Sequence, residues 1–243
     1  VTLQSVVEEV CSRSGLSASE IEASDLSGDE ISGYVITSPS PGRAVLEQLS
    51  SVFFFDGVES DFQLKFIKRS DVTVSQTIPE RDLALGRNEQ SPVVVSRQQA
   101  VELPSRYVLN YVSKEQDYNV QTAAAKRVQN PTPVMRSRNE VVAEVPIVLT
   151  ETQGKRSAET ALFASWQERD TFEFALGPKY LGVDPGDRLS ITLDSGVSYS
   201  VRVTEVDVGL DFSMQLRGVA FDDSLYVPSE VEGFAGEGRP DNR

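Results

Sequence analysis

Asp194-Ser195-Gly196 is the one tripeptide here with the composition of an aspartic-protease catalytic loop. In those enzymes two carboxylates a few ångströms apart share a proton and activate water. The tripeptide occurs once, so a homodimer would have to supply the second aspartate. It also lies between two alternating stretches, where Asp, Ser and Gly are ordinary hairpin residues, and it is read as a turn. Asp25, Asp29 and Glu30 are hard oxygen donors of the kind calcium gathers six to eight of, but their spacing does not follow an EF-hand loop. Ser27-Gly28-Asp29 reads instead as a loop ahead of a strand. A glycoside hydrolase needs two carboxyls roughly 5 to 10 Å apart, and sequence alone nominates no pair. Trp166 could stack on a sugar, yet it falls on the apolar side of a helix, which favours packing. There is no Gly-Lys-Ser/Thr phosphate loop and no dinucleotide fingerprint. Histidine is absent altogether, and with it every Ser-His, Cys-His and His-metal arrangement. No catalytic, cofactor-binding or metal-ligating residue is assigned, and the chain is not expected to be an enzyme.

Charge narrows the partners. The 243 residues carry 37 acidic and 23 basic side chains, a net charge of −14. Binding to nucleic-acid phosphate depends on clustered Lys and Arg that release counterions. The densest basic run, Lys126 to Arg138, has Arg136 and Arg138 flanking Ser137 beside two prolines and reads as a solvated strand edge. An acidic surface keeps a protein soluble and stops it sticking to DNA that passes nearby. Cys11, the one cysteine, cannot form an internal disulfide and reads as a small buried hydrophobe. The longest apolar run noted, Val52 to Phe55, is far short of the roughly 20 residues of a membrane span, so a soluble chain is expected. The sequence opens at Val1 without a signal-like stretch and closes in the polar, glycine-rich 229–243, the pattern of a piece taken from something longer.

Two kinds of periodicity would position these residues. Leu3, Val6, Val7, Val10 and Cys11 recur at helical spacing, with Gly15 placed for a left-handed cap. Ser17 and Glu20 have capping-box spacing, and Ile31 to Thr37 turns to strand residues. Ser40-Pro41 reads as cap and first helical position ahead of Val45, Leu49, Val52 and Phe53. Asp56-Gly57 and Glu59-Ser60-Asp61 read as turns, and Phe62, Leu64 and Phe66 as the inner face of a strand. Beyond Arg69 the pattern is mostly β: Val72 to Ile78, Val93 to Arg97, Arg106 to Ser113 and Val141 to Leu149. Val120 to Val128 is ambiguous, because its three alanines favour helix and its neighbours favour strand. Ser157 to Arg169 is helical, with Ala158, Ala161, Leu162, Ser165 and Trp166 on one side. Phe172 to Leu176, Arg188 to Leu193, Tyr199 to Val206 and Met214 to Phe221 complete a β set. The expected fold is α+β: a small helix-strand module over 1–78, a mainly antiparallel β-barrel over 79–228 with one helix, and a flexible segment at 229–243.

Two patches of short motifs carry a family resemblance. The first, Leu3 to Arg69, holds a helix ending in Gly-Leu, the acidic Ile21 to Leu26, Ser32-Gly33-Tyr34, a Leu-containing helix and Phe55-Asp56-Gly57-Val58-Glu59-Ser60. The second, Arg81 to Pro228, holds Val101-Glu102-Leu103-Pro104, Asp117-Tyr118, Pro146-Ile147-Val148, Ala158-Glu159, Trp166-Gln167-Glu168-Arg169, Pro185-Gly186-Asp187-Arg188, Arg202-Val203 and Ser224-Leu225-Tyr226. In this order they resemble the hub region of siphophage tail-tip proteins and of phage-like gene transfer agents, the baseplate-hub type. The resemblance implies a structural virion protein that forms a homotrimer of tube-like barrels, a symmetry adaptor between a hexameric tail tube and threefold tip or fibre parts. It implies as partners the distal tail protein ring, the tape measure protein and fibre or receptor-binding proteins, with DNA passing through the lumen unbound. It implies no cofactor, a place at the tail tip, and assembly in the bacterial cytoplasm. A first N-terminal barrel is not evident, nor is a glycoside-hydrolase-like TIM barrel. The competing reading is a carbohydrate-binding or polysaccharide-hydrolysing domain of a tail protein, and a third is a monomeric secreted adhesion module.

Overall fold

The computed structural model describes residues 1–35, 39–70, 76–84, 91–127, 137–210 and 212–226. Its helices are α1 (Leu3–Arg13), α2 (Gly42–Phe53) and α3 (Glu151–Gln167). Its strands are β1 (Ile21–Glu22), β2 (Gly33–Tyr34), β3 (Phe55–Ser60), β4 (Gln63–Lys68), β5 (Gln76–Pro79), β6 (Leu83–Ala84) and β7 (Val93–Arg97). They continue with β8 (Arg106–Ser113), β9 (Val120–Lys126), β10 (Glu140–Leu149), β11 (Asp170–Leu176), β12 (Arg188–Thr192), β13 (Ser198–Val208) and β14 (Met214–Ala220). They form three sheets, ordered β1-β4-β3, β2-β10-β8-β9 and β5-β12-β13-β14-β11-β6, with β7 also on β11. The α+β class expected from the sequence is the class observed.

The helices start and stop where their end groups can be satisfied. Thr2 Oγ1 accepts the Ser5 N–H at the start of α1. At its end Gly15, with φ of +103°, donates to the Ser12 carbonyl while Leu16 donates to that of Cys11, the paired bonds of a Schellman cap. The inner face of α1 is Leu3, Val7 and Cys11, and Cys11 is 1% exposed, so burial pushes its thiol pKa up. The Ser17–Glu20 capping box forms as read. For α2 the cap is Pro41 itself, one residue later than expected, and no side chain bonds the helix start. Helix α3 begins well before Ser157, because Thr150 and Gln153 form a capping box that the apolar periodicity did not reveal.

The β3–β4 hairpin corrects two expectations. Asp56 and Gly57 lie inside β3, paired with Ile67 and Phe66, and Ser60 pairs with Gln63. The connection is therefore the two residues Asp61 and Phe62, with φ of +53° and +61°, positive at both positions as such a turn requires. Phe62, expected on the inner face, sits at the tip and is 98% exposed. Alternation carried one step too far into a turn accounts for the error. Of Ile31 to Thr37 only Gly33–Tyr34 pairs as strand, with 36–38 outside the described residues; of Val72 to Ile78 the described part is Gln76 onward. Val120 to Lys126 is a strand, and Ala123 and Ala125 are buried on its helix-facing side, in one apolar cluster with Ala158 and Leu162 of α3. Small side chains there let the helix lie close, which is why a helix-favouring composition ends as sheet.

Two hydrophobic cores result. One joins α1, α2, β3 and β4 to the sheet of β8–β10 and to α3, through Leu26, Leu49, Phe55, Leu109, Ile147 and Leu162 among others. The other fills a barrel with Ile78, Phe174, Leu176, Leu189, Ile191, Val201 and Leu216. The barrel closes through a single bent segment. β5 runs parallel to β12 at one edge; the chain then turns through Glu80–Asp82, and β6 runs antiparallel to β11 at the opposite edge. Asp82 anchors that segment, accepting from Tyr180 Oη at 2.7 Å and Lys179 Nζ at 2.8 Å. A sheet bonded at both ends to one segment has no long open edge there.

A bulge at Thr204 shifts the β13–β14 register between Val203 and Glu205. Opposite it, a Cβ on Gly218 would meet Val201 Cγ1 at 2.4 Å and the Arg202 carbonyl oxygen at 2.6 Å. Gly218→Ala is accordingly expected to lower stability by about 1–3 kcal/mol through overpacking. Gly28→Ala, where a Cβ meets nothing within 4 Å, should change it little. Urea unfolding of both variants checks this.

Candidate functional site

Where the module meets the barrel, four charged side chains from distant parts of the chain converge. Arg202, on β13 and 6% exposed, donates through Nη1 to Asp56 Oδ2 at 2.6 Å and through Nη2 to Glu168 Oε1 at 2.8 Å. Arg69, just after β4, donates to Asp56 at 2.7 Å from Nη2 and lies 3.7 Å from Glu168. Two guanidiniums and two carboxylates thus alternate in a closed set. Burial opposes the charge on Arg69, but Asp56, followed by Glu168, more than offsets it and holds that guanidinium above its ordinary pKa. Charge-assisted bonds of this kind are strong, and leaving one partner alone in such a place is costly.

The surrounding contacts extend the joint. Arg188, at the start of β12 and 5% exposed, donates to the carbonyls of Lys68 and Arg69 at 3.2 and 3.0 Å and lies over the Phe221 ring at 4.3 Å. Tyr226 stacks on Phe221 and packs against Phe54, and burial, then Glu168, pushes its phenol pKa up. Asp184-Pro185-Gly186-Asp187 forms the turn before β12; Gly186 takes φ of +94°, and Asp187 N–H donates to the Asp184 carbonyl. The side of that turn bears on the β3–β4 hairpin. Ser60 Oγ donates to Asp184, and Val58 and Ile67 stand 3.5 and 3.3 Å from where a Gly186 side chain would begin. Asp56, Glu168, Arg188, Arg202 and Tyr226, each read in a separate short motif, meet at this one place.

The other candidates have structural occupations. Asp194-Ser195-Gly196 is the tip of the β12–β13 hairpin: Gly196 has φ of +85°, Leu193 and Val197 close the loop, and the Asp194 N–H donates to Glu80 at 2.6 Å. Asp29 pairs with Lys68 at 2.6 Å, while Asp25 is exposed and Glu30 sits in an isolated bridge with Thr2. Among the described residues no three His, Cys, Asp or Glu side chains converge as metal ligands would. Trp166 is half-buried at the border of the first core. Its indole N–H donates to the Pro104 carbonyl at 2.7 Å, and the Arg127 guanidinium covers its ring at 3.5 Å, so that face is not open to a sugar. Of the basic run, Arg136 lies outside the described residues and Arg138 is exposed. Among the described residues no helix is long and apolar enough to cross a membrane.

Comparison with known proteins agrees with this shape. A family model described as “Putative phage tail protein” matches residues 41–206, and the chain belongs to that family of tail proteins. It is similar to a chain in the virion of a native gene transfer agent particle, with 30% identity and a TM-score of 0.82 over 96% of this chain and 50% of that one. This chain thus spans about half the length of that relative. It shares its fold with the tail protein from Neisseria meningitidis MC58, at 11% identity and TM-score 0.61 over 93% of this chain and 68% of that. The 43 kDa tail protein of prophage MuSo2 from Shewanella oneidensis has the same fold, at 12% identity and TM-score 0.59 over 93% and 67%. No curated protein matches. The chain is thus a structural protein of the phage and gene-transfer-agent tail type.

The joint makes a sharp prediction. Arg202→Met leaves two half-buried carboxylates to one guanidinium and is expected to destabilise the fold by roughly 1–3 kcal/mol. Arg13→Ala, which breaks an exposed helix pair with Glu9, should change stability by about 1 kcal/mol or less. Chemical denaturation of both variants separates the two cases.

Proposed function

We propose that this chain is a wall segment of a tail-tip hub: three copies form a ring that adapts the hexameric tail tube to threefold tip or fibre parts and lines the channel between them. The observation that carries the reading is the charged joint. It fixes a closed, side-chain-filled barrel to a helix-strand module in one orientation, which is what a part in a fixed-geometry ring needs. Within the reading the chain divides as 1–78 and 79–228, with β5 (Gln76–Pro79) crossing that boundary to pair with β12 of the barrel, and with α3 and its sheet as the portion of the second unit that seats on the first. The acidic excess, net −14, suits a channel that DNA must cross without adhering. Partners on this reading are the distal tail protein ring above, fibre or receptor-binding parts below, and the tape measure protein within the lumen. The chain works by shape, without catalysis, in the particle's tail tip after assembly in the bacterial cytoplasm.

Light scattering of the purified chain, followed by pull-down with a purified distal tail protein ring, tests this. The expected outcome is a threefold mass and retention on the ring. A chain that stays monomeric and passes the ring, while cleaving or retaining bacterial polysaccharide, would overturn the reading.

A further inference from the structure

Charge on this chain is sorted by place. From Ser14 to Val35 it has five acids and no Lys or Arg; from Tyr118 to Asn139 it has no acid, while Lys126, Arg127 and Arg138 are basic. The fold draws these three together at one end of the β8–β10 sheet. Lys126 stands opposite Arg106, which stands in turn opposite Glu140; Arg127 follows Lys126, and Arg138 lies two residues ahead of Glu140. Lys126 and Arg138 are exposed and in no ion pair among the described residues. The Arg127 guanidinium lies over Trp166, and its Nη1 is buried with no hydrogen-bond partner. Burial, then Arg169, pushes the Arg127 pKa down, and no carboxylate offsets them. Asp170, 4.0 Å from Arg169, is already bonded twice by Arg97. This end of the sheet is a cationic surface short of anions.

The acidic stretch is its electrostatic counterpart and lies elsewhere on the molecule. Asp25 and Glu30 are exposed and in no ion pair among the described residues. β2 runs antiparallel to β10 with Gly33 opposite Val148, so the chain ahead of Gly33 enters from beyond that end of β10. Glu140, at the basic end, is eight residues from Val148, roughly 25 Å at 3.3 Å per residue. Exposed charges that far apart are screened from one another, the Debye length being about 8–10 Å. The two regions therefore cannot neutralise each other within one copy. We infer that the basic end of one copy, Lys126, Arg127 and Arg138, docks on the acidic stretch of the next around Asp25 and Glu30. Opposite charge across an interface steers the encounter and fixes which faces meet. The contact joins two different patches, so it is heterologous; a contact of that kind runs head to tail and can close a ring of three, whereas a self-complementary patch stops at a dimer. The inference rests on the ring reading above and names the charges that set its register.

Two full-length variants test the contact: Lys126→Glu with Arg138→Glu, which reverses the basic end, and Asp25→Lys with Glu30→Lys, which reverses the acidic stretch. All four side chains are exposed, so both variants should keep the native circular dichroism spectrum. By sedimentation each variant alone is expected to self-associate more weakly than the native chain by about tenfold or more, and an equimolar mixture to associate again, because each supplies the patch the other has lost. Association of the native chain should also weaken as NaCl rises from about 0.05 to about 0.5 M. If the native chain associates but either variant does so equally well, or the mixture fails to recover, the contact is wrong and the ring stands. If the basic-end variant associates normally but loses binding to a labelled DNA duplex that the native chain holds, the basic end is a phosphate site and the contact falls. If the native chain remains monomeric at every concentration, contact and ring both fall.

Discussion

The alternation of the buried Arg202 with the half-buried Asp56, Arg69 and Glu168 is the interaction on which the rest of this molecule depends. Its members come from β13, β3, the end of β4 and the end of α3, so none of these elements can shift without separating a charge from its partner. Hydrophobic packing alone leaves two adjoining cores free to slide, because apolar contact has no direction. Charge-assisted bonds supply the direction. Arg188 on the Lys68 and Arg69 carbonyls, Ser60 on Asp184, and the stacked Phe221 and Tyr226 repeat that constraint along the same boundary.

That constraint explains why the chain bears the marks of a scaffold. The buried Arg202 and the half-buried Arg69 are bonded to Asp56 and Glu168, so these charges hold module and barrel together. The barrel interior is filled by Phe172, Phe174, Ile191 and Leu216, a packed core rather than a pore. In β10 the register against β8 shifts between Glu144 and Val148 around Pro146, whose carbonyl accepts the Val35 N–H. The sheet is thereby bent to receive β2 from the N-terminal module.

Most elements were legible because their periods were clean. Arg106 to Ser113 matches β8 and Val93 to Arg97 matches β7 to the residue; for β11 to β14 the strand cores were right and only the ends moved. The failures have local causes: Phe62 extended an alternation past the true turn, and the alanines of 120–126 disguised a strand that needs small side chains beneath α3. Less legible was the allocation of strands to sheets. A period of two identifies a strand but not its partner, and β8, β9 and β10 read as one with the barrel although they pack in the first core. The joint was present in the sequence only as disconnected motifs. Asp56 and Arg202 are 146 residues apart, and nothing in composition or spacing announces that Phe-Asp-Gly-Val-Glu-Ser, Trp-Gln-Glu-Arg, Pro-Gly-Asp-Arg and Ser-Leu-Tyr share one place.

Electron-microscopy class averages of the assembled chain viewed end-on address the central claim most directly. The account predicts a threefold ring around an open channel, each copy presenting its barrel as a wall segment with the module fixed beside it. Compact particles lacking a central opening, or copies in which barrel and module adopt many relative orientations, would contradict it.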